Sequence, residues 1–533
     1  MTEIASWSLK AKIGQLVMCG FDGMAPTEGI LGLIEEYALG GIIYFRRNVG
    51  TAQETAELSA RLREAAGRVT DVPLWIAVDQ EGGTVARIDR DITVMPGNMA
   101  LGAAREPFYA YDTAHASGSD LLRMGINLNL APCLDVNCNA LNPVIGVRSY
   151  GERPELVGEL GTAAIRGFQE AGVSACAKHF PGHGDTDTDS HRELPIVPHG
   201  RERLREIELA PFRQAIEQGV DAIMTAHVLF PAYDDSGVPA TISEPILGGL
   251  LRRELGYDGI LMTDCLEMNA ISETVGIGRG AVMAVKAGAD VVLVSHRLDR
   301  QREALEALVA AAESGELEEA RIDESVRRIV QLKQRRVKAA AMAAAEQAAA
   351  AAREAYARSV TLVKQDAGVL PLKRDMPTLA IWPEVRIGTE VDEVIEQELT
   401  LGKAIGRYVV EVKELIIGIE PTADEIAAVL LAAAGKRQIV VGTYNAAFSP
   451  GQTSLVEALM RSGSSTVIVA ALRNPYDLLA FPDVHAYAAC YENRPLALEA
   501  LAAVLAGEMP AQGRLPVSLG DQYPYGHGLP GSA

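Results

Sequence analysis

The chain has 533 residues, of which 48% are hydrophobic and 22% are charged, a composition typical of folded globular proteins. This length exceeds what one hydrophobic core usually supports, so we expect two domains. The 49 basic and 70 acidic residues give a formal charge of -21, which disfavours nucleic acid and anionic membranes as partners and favours a small-molecule substrate.

The N-terminal segment, from Met1 to Lys10, lacks the basic and then apolar pattern of a secretion signal. No stretch of the sequence is apolar for long enough to span a bilayer. The six cysteines are scattered without a CxxC pair, and several lie inside apolar runs, as buried free thiols do in a reducing compartment. The sequence therefore predicts a cytoplasmic protein.

Short apolar runs alternate with segments of helical periodicity in the first part of the chain. Each run has the length of a strand, and amphipathic segments such as 51–68 and 201–218 lie between them. Eight strands that alternate with helices predict an α/β fold with a (β/α)8 TIM-type barrel. A doubly wound open sheet is the alternative, and counting alone does not exclude it. The runs are 15–19, 41–45, 74–79, 126–131, 174–178, 222–226, 260–263 and 290–294.

The sequence changes character after the last of these runs. It is helical from Arg321, and residues 339–352 are rich in alanine, so we expect a helical linker rather than a flexible tether. Further apolar runs, separated by helical stretches, predict a smaller α/β sandwich; they are 378–382, 439–443 and 466–472. The predicted parts are a barrel domain (1–336), an alanine-rich helical linker (337–358) and a C-terminal α/β sandwich domain (359–533).

Polar and mostly charged side chains directly follow several predicted strands. The C-terminal ends of the strands of a TIM barrel converge on one mouth, so these side chains would meet in space. Solvation of loops explains polar residues at strand ends, but it does not explain charges that directly abut so many buried runs. The residues are Asp79, Gln80, Glu81, Asp135, Lys178, His179, His227, Asp264 and His296.

The densest polar cluster follows the fifth predicted strand and invites comparison with a metal site. Asp185, Asp187 and Asp189 resemble the start of a calcium loop, but such a loop needs Gly at its sixth position and Glu at its twelfth. Ser190 and Ile196 occupy those positions. The segment also matches no standard spacing of zinc ligands. We therefore expect neither a metal nor a cofactor.

Acid–base chemistry is the alternative for this cluster. Asp189 and His191 are two residues apart, so both side chains can lie on one face of an extended loop, where the carboxylate would orient the imidazole. An aspartate that caps a turn is the simpler interpretation. Asp264 directly follows an apolar strand and would present a carboxylate at the barrel mouth, although an N-cap role is equally compatible with its position. A carboxylate nucleophile and a separate proton donor are the minimum for retaining glycoside hydrolysis.

Three motifs together resemble a known family. The segment 178–191, which runs from Lys-His-Phe-Pro-Gly-His-Gly to Asp-Ser-His, is similar to the bacterial β-N-acetylglucosaminidases of glycoside hydrolase family 3, and so are Asp79-Gln-Glu-Gly-Gly83 and Thr263-Asp264. The first motif is highly specific to that subgroup, and the similarity covers nearly the whole chain. It implies a retaining exo-enzyme that releases terminal N-acetylglucosamine from muropeptide-type fragments or chito-oligosaccharides through a covalent glycosyl-enzyme.

The resemblance also implies roles for individual residues. Asp264 matches the catalytic nucleophile, His191 matches the general acid/base, and Asp189 matches the partner of that histidine. Thr84 departs from single-domain relatives, which often have Arg there, and this difference bears on contacts with the aglycone. The residues assigned to binding of the terminal sugar are Asp79, Arg87, Arg148, Lys178 and His179, with His227 at a strand end near the same mouth.

Several alternatives to this function follow from the same residues. Neutral imidazole repels an anionic acceptor less than a carboxylate does, so inorganic phosphate could replace water, and some relatives are phosphorylases. A family 3 β-glucosidase is a further alternative. The intact Asp264, Asp189 and His191 disfavour a non-catalytic sugar-binding protein, and a metal-dependent amidohydrolase would lose activity with a chelator. The second domain is expected to serve packing or dimerisation.

Overall fold

The computed structural model describes residues 4–188, 194–336, 345–386, 394, 397–463 and 465–530. Eight parallel strands close into a barrel in the first part of the chain, and a separate six-stranded sheet forms in the second part. The predicted α/β fold with an N-terminal TIM-type barrel is therefore confirmed. The doubly wound alternative is wrong for this part of the chain, because the sheet closes on itself.

The described residues of the first part form ten strands. They are β1 (Val17–Cys19), β2 (Gly41–Tyr44), β3 (Trp75–Val78), β4 (Gln80–Gly82), β5 (Val85–Ala86), β6 (Leu128–Asn129), β7 (Ser174–Phe180), β8 (Ala222–Thr225), β9 (Ile260–Cys265) and β10 (Val291–Val294). β4 and β5 form an antiparallel hairpin directly after β3. The other eight follow one another around the barrel, and β1 closes it by pairing with both β2 and β10.

Helices connect the strands of the barrel and cover its outside. The α-helices are Leu9–Gln15, Glu28–Tyr37, Ala52–Gly67, Asn98–Ala104, Pro107–Arg123, Pro154–Glu170, Arg201–Glu206, Ala210–Glu217, Asn269–Ser272, Ile277–Ala287, Leu298–Glu313 and Glu319–Arg336. Pro245–Glu254 is a π-helix, and the 3-10 helices are Ile4–Ser6, Arg46–Asn48, Gly146–Arg148 and Ala240–Ile242. No helix among the described residues is long and apolar enough to cross a membrane.

The local sequence explains why these elements form. β2 and β3 are buried along their whole length because one side faces the barrel interior and the other faces the helices, so they read as continuous apolar runs. The helix Ala52–Gly67 begins at a capping box, in which Thr51 accepts a hydrogen bond from the backbone of Glu54 and Glu54 accepts one in return at 2.8 Å.

The second sheet contains six strands. They are β11 (Thr361–Gln365), β12 (Thr378–Glu384), β13 (Val412–Gly418), β14 (Gln438–Thr443), β15 (Thr466–Ala471) and β16 (Ala486–Ala489), in the spatial order β11-β16-β15-β14-β12-β13. All pairs are parallel except β11 with β16. The helices here are Ala345–Ser359, Leu401–Ile405, Ala423–Ala433, Pro450–Ser462 and Pro495–Leu505, with 3-10 helices at Ala446–Phe448 and Pro475–Leu479.

Both faces of the second sheet are covered. Val441 and Val469 belong to one hydrophobic cluster, whereas their neighbours Val440 and Ile468 belong to another. Successive side chains of a strand point to opposite faces, so the two clusters lie on the two sides of the sheet. The predicted C-terminal α/β sandwich is confirmed.

The helix Ala345–Ser359 packs between the two parts of the chain. It contacts the helices Asn98–Ala104 and Pro107–Arg123 on one side and Pro495–Leu505 on the other. Tyr356 on this helix is buried. Residues 337–344 of the predicted linker lie outside the described residues, and the three domain boundaries remain predictions.

Glu492 follows β16 and is buried where the second sheet meets the barrel. Its carboxylate accepts a hydrogen bond from the backbone N–H of Gly97 at 3.0 Å and another from the hydroxyl of Tyr356 at 2.9 Å. Burial raises the pKa of Glu492 to about 7, because these hydrogen bonds and the nearby Arg494 only partly offset the lost hydration. The folded chain therefore keeps this carboxyl group protonated at mildly acidic pH.

The raised pKa of Glu492 predicts that its contribution to the free energy of unfolding depends on pH. Because the folded chain raises the pKa of Glu492, the protonated carboxyl group stabilises the fold fully at pH values below its unfolded pKa of about 4.5. This stabilisation is lost as the pH rises through the folded pKa of about 7. The side chain in Glu492→Gln is neutral at every pH. The free energy of unfolding of this variant, relative to that of wild type, should therefore rise by about 3 kcal/mol between pH 4.5 and pH 8, at about 1.4 kcal/mol per pH unit. Urea denaturation across that range measures the difference. Glu411→Gln, at an exposed position, is the control, and a pH-independent difference for Glu492→Gln would contradict the prediction.

Candidate active site

A cavity of about 730 Å3 opens at the carboxyl ends of the barrel strands. This is the position at which TIM barrels place their functional groups. Eight residues singled out from the sequence line it: Asp79, Glu81, Arg87, Arg148, Lys178, His179, Asp264 and His296. They come from the ends of β3, β7, β9 and β10, from the β4–β5 hairpin and from the loop after β6, so the barrel brings together side chains that are far apart in sequence.

Four charged side chains form a connected network on one wall of the cavity. The Lys178 ammonium lies 2.6 Å from Asp79 Oδ1 and 2.7 Å from Glu81 Oε1. Arg148 donates to both oxygens of Glu81, from Nε at 3.0 Å and from Nη2 at 2.8 Å. The side chains of Glu81 and Lys178 are each only 3% exposed, so these are buried rather than surface ion pairs.

The network fixes the charges of its members. Burial alone would raise the pKa of Glu81, but Arg148 and Lys178 outweigh it and hold that pKa well below its usual range. Burial likewise opposes the charged form of Lys178, yet Asp79 and Glu81 raise its pKa above the ordinary value. Glu81, Lys178 and Arg148 therefore stay ionised together, and the network presents both acceptors and donors of hydrogen bonds to a polar ligand.

His179 is held from behind by Asp135. The imidazole Nδ1 lies 2.7 Å from Asp135 Oδ2, and its Nε2 lies 3.4 Å from Arg148 Nη2. Asp135 is fully buried and also accepts hydrogen bonds from the backbone N–H of His183 at 2.6 Å and from the thiol of Cys133 at 3.0 Å. Burial would raise the pKa of Asp135, but His179 outweighs it and keeps that pKa below the usual range.

Asp264 projects from the end of β9 into the cavity. It is partly exposed, and its Oδ1 accepts a hydrogen bond from the backbone N–H of Cys265 at 2.7 Å. Glu267, three residues later, instead accepts the backbone N–H groups of His296 at 2.6 Å and Arg297 at 3.1 Å. Both oxygens of Glu267 are thus bonded to backbone N–H groups, and Asp264 stands on the strand itself where it lines the cavity.

His227 occupies a different place from the other predicted binding residues. It is buried and is not among the described residues that line the cavity. Its Nε2 donates to the carbonyl of Cys265 at 2.9 Å, and its Nδ1 lies 2.6 Å from the hydroxyl of Thr241. His227 therefore supports the chain directly after Asp264 from behind the strand.

The predicted pair Asp189 and His191 lies outside the described residues. The chain that leads to it is anchored by Asp185, which lies 2.7 Å from His199 Nε2 and 3.2 Å from Arg203 Nη2. His183 lies in the same stretch, and burial lowers its pKa to about 4, so its imidazole is neutral near pH 7.

The outer rim of the cavity carries aromatic and basic side chains. The rings of Phe45 and His296 lie with their centroids 4.8 Å apart and their planes tilted by 41°, and Arg47 lies over the Phe45 ring at 4.5 Å. Arg300 lines the same region. Thr84, which departs from the family motif, is buried and does not line the cavity among the described residues. The rim can therefore contact a second ligand group through ring faces and guanidinium groups.

Three groups of side chains in the described residues each place atoms that could bind a metal within 4.8 Å of one another. They are Cys133, Asp135 and His179; Cys265, Glu267 and His296; and Asp185, His199 and Glu208. Several of their donor atoms are already engaged, as in the Asp135–His179 and Asp185–His199 pairs. In the second group Glu267 is bonded to backbone N–H groups. A metal would have to displace these contacts.

The sequence placed Glu81 and Asp135 at strand ends without giving either a role. Glu81 proves to be the acceptor shared by Arg148 and Lys178, and Asp135 is the partner of His179. Both follow apolar runs by one to a few residues, which is the signal that found Asp79 and Lys178. That signal does not tell which loops face each other.

Asp135→Asn tests the contribution of the buried pair with His179. The variant keeps the shape but removes the charge, so the free energy of unfolding at pH 7 should fall by about 3 kcal/mol. Because the pKa of Asp135 is depressed in the folded chain, the difference should shrink as the pH falls below about 4. Urea denaturation at both pH values measures it. Asp299→Asn, in the exposed pair with Arg297, is the control and should change stability by less than about 1 kcal/mol; an equal loss in both variants would refute the assignment.

Comparison with known proteins places this site in a family. Residues 8–332 match the N-terminal domain of glycosyl hydrolase family 3. The chain is 39% identical over 370 residues to a β-hexosaminidase A of Pseudoalteromonas piscicida, covering 64% of this chain and 62% of that protein, so it spans less than two thirds of that relative. It is 38% identical over 288 residues to a β-hexosaminidase of Alkalilimnicola ehrlichii, covering 53% of this chain and 80% of the relative.

A solved structure matches nearly the whole chain. The family 3 β-N-acetylglucosaminidase of Paenibacillus sp. str. FPU-7 superimposes with a TM-score of 0.94 at 51% identity, covering 96% of this chain and 99% of that one. The family match extends over more than half of the chain, and the resemblance of its motifs is confirmed. The chain therefore belongs to glycoside hydrolase family 3 and is a glycoside hydrolase.

Proposed function

We propose that this chain is a retaining exo-β-N-acetylglucosaminidase that releases terminal N-acetylglucosamine from its substrate. The observation that carries the proposal is that Asp264 lines the same cavity as the buried network of Asp79, Lys178, Glu81 and Arg148. A carboxylate at a strand end, in the same cavity as a wall of fixed donors and acceptors, suits attack on one sugar ring. The Paenibacillus enzyme that is 51% identical carries the same activity in its name, which supports the choice of sugar.

The proposed chemistry takes two steps. In the first, the Asp264 carboxylate forms a bond to the anomeric carbon, the bond from that carbon to the aglycone oxygen breaks, and His191 gives its proton to the departing oxygen. In the second, His191 takes a proton from water, the water oxygen bonds to the anomeric carbon, and Asp264 leaves as a carboxylate. Two inversions give net retention. Asp189 orients His191 in both steps.

The buried network binds and orients the sugar in this proposal. Asp79 and Glu81 accept hydrogen bonds from sugar hydroxyls, while Lys178, Arg148 and Arg87 donate to sugar oxygens. These groups are already ordered by one another, so binding requires little further reorganisation. Contacts that strengthen as positive charge develops at the ring lower the barrier to bond cleavage.

The aglycone lies against the rim in this arrangement. Phe45 and His296 provide aromatic ring faces for a second sugar ring, and Arg47 and Arg300 supply positive charge beside it. This supports muropeptide-type substrates, because muramic acid carries a carboxylate. Chito-oligosaccharides fit the same surface through ring stacking alone.

The cell location and the division of the chain complete the proposal. We place the protein in the cytoplasm, since all six cysteines are free thiols and four of them are buried. We also propose that residues 1–336 form the catalytic domain, 337–358 the linker and 359–533 the second domain.

Replacement of Asp264 tests the nucleophile. Asp264→Ala should lower kcat on an aryl N-acetylglucosaminide by at least about ten-thousand-fold, because the proposed covalent intermediate forms on the Asp264 carboxylate. A fluorinated N-acetylglucosaminide should label wild type at Asp264, as read by peptide mass spectrometry. Asp299→Ala, in an exposed ion pair, is the control for folding and activity. Label on another carboxylate would overturn the assignment.

Product analysis separates the hydrolase from the phosphorylase and β-glucosidase alternatives. The basic rim favours an anionic acceptor as well as an anionic aglycone, so phosphate must be tested directly. We expect free N-acetylglucosamine from an aryl N-acetylglucosaminide with or without phosphate, and far slower turnover of the aryl glucoside. NMR of the products measures both. N-acetylglucosamine 1-phosphate as the main product would identify a phosphorylase, and faster turnover of the glucoside would identify a β-glucosidase.

A further inference from the structure

The second sheet contacts two barrel loops that carry the sugar-binding network. One is the loop after β6, which holds Arg148, and the other is the segment after β3, which holds Glu81. Each is bound by a segment that follows a strand of the second sheet: residues 473–479 after β15, and residues 490–494 after β16. β15 and β16 are parallel neighbours, so both segments leave the same edge of the sheet.

The segment after β15 holds the Arg148 loop through its backbone. Asn474 Oδ1 accepts a hydrogen bond from Val147 N at 3.0 Å. The hydroxyl of Tyr476 accepts one from Asn137 Nδ2 at 2.8 Å, and Asn137 Oδ1 in turn accepts Gly146 N at 3.1 Å. The two residues directly before Arg148 are thus bonded to the second sheet, one directly and one through Asn137.

Glycine makes this approach possible. Gly146 has a φ of +44°, and a Cβ atom there would lie 2.5 Å from Asn474 Oδ1. Any side chain would push the loop away from the sheet. The backbone before Arg148 is therefore pressed directly against the second part of the chain.

The segment after β16 holds the hairpin that carries Glu81. Arg494 Nε donates to the carbonyl of Gly83 at 2.9 Å, and Glu492 Oε1 accepts Gly97 N at 3.0 Å. Gly83 and Gly97 are themselves in contact, since a Cβ atom on Gly83 would lie 2.8 Å from Gly97 Cα. Arg494 and Glu492 therefore fix both ends of the segment that begins beside Glu81.

We propose that the second sheet positions the Glu81–Arg148 pair for sugar binding, with Tyr476, Asn474 and Arg494 as positioning residues. Tyr476, Asn474 and Arg494 are buried and are not among the described residues that line the main cavity, so they act on the sugar through the loops they hold. A displacement of about 1 Å at a binding group is enough to weaken binding severely. This inference rests on the proposed function, because it assigns the pair to the sugar.

The position of these contacts distinguishes this role from simple packing. Packing would place apolar side chains against the helices of the barrel, as Ala352 on Ala345–Ser359 does. The contacts described here are polar and are directed at the backbone of two loops on either side of one ion pair. A helix-packing role alone would not require them there.

A double-mutant cycle tests the inference. Tyr476→Phe keeps the ring and removes only the hydroxyl, so it should raise KM for an aryl N-acetylglucosaminide about three- to ten-fold while kcat changes less than about two-fold. Arg148→Gln removes the side chain through which Tyr476 acts. In the Arg148→Gln background, Tyr476→Phe should change kcat/KM by less than about two-fold. Tyr408→Phe, a partly buried tyrosine elsewhere in the second sheet domain, is the matched control and should leave KM unchanged.

The outcomes separate this inference from the proposed function. A wild-type chain that does not turn over the aryl N-acetylglucosaminide would refute the proposed function. An active wild type in which Tyr476→Phe lowers kcat/KM equally with and without Arg148 would refute the positioning role alone. An unchanged KM in Tyr476→Phe would refute it too. Arg494→Met repeats the test on the Glu81 side, where a several-fold rise in KM at unchanged secondary structure by circular dichroism supports the inference and an unchanged KM contradicts it.

Discussion

The buried carboxylate of Glu81 is the constraint on which the site depends. A carboxylate with 3% side-chain exposure is strongly unfavourable unless cations and hydrogen bonds replace the lost water, and Arg148 and Lys178 do so. The three residues come from the hairpin after β3, the loop after β6 and β7. If any of these segments moved, a buried charge would lose its partner, so the charges hold the segments in one arrangement before a ligand arrives.

The second sheet helps to keep the residues around Glu81 in place. Loops are more mobile than the strands they follow, and two of the three segments that meet at Glu81 are loop or hairpin. The segments after β15 and β16 bond to the backbone beside Glu81 and Arg148, and so they restrict the motions that would separate the pair. A barrel alone would have to supply this rigidity from its own loops.

The sequence predicts the barrel well because its strands are buried on both sides and stand out as apolar runs. It misses β11, β13 and β16 for identifiable reasons: β11 and β13 are the two edge strands and carry polar residues such as Lys364 and Lys413, and β16 is short and alanine-rich. The strand-end rule finds Asp79 and Lys178 at the cavity. It cannot show that His227 lies behind the strand, because side-chain direction at a strand end depends on the twist and curvature of the closed barrel.

The histidines around the cavity bear on where the catalytic proton resides. His179 is held by Asp135 and Arg148, and His183 is neutral near pH 7 because burial lowers its pKa to about 4. His227 is buried with both ring nitrogens bonded. A group that alternately gives and takes a proton needs a pKa near the working pH and access to the reacting oxygen, and neither His183 nor His227 combines the two. Their exclusion is consistent with the proposal that the proton belongs to His191, which the resemblance identifies by its motif.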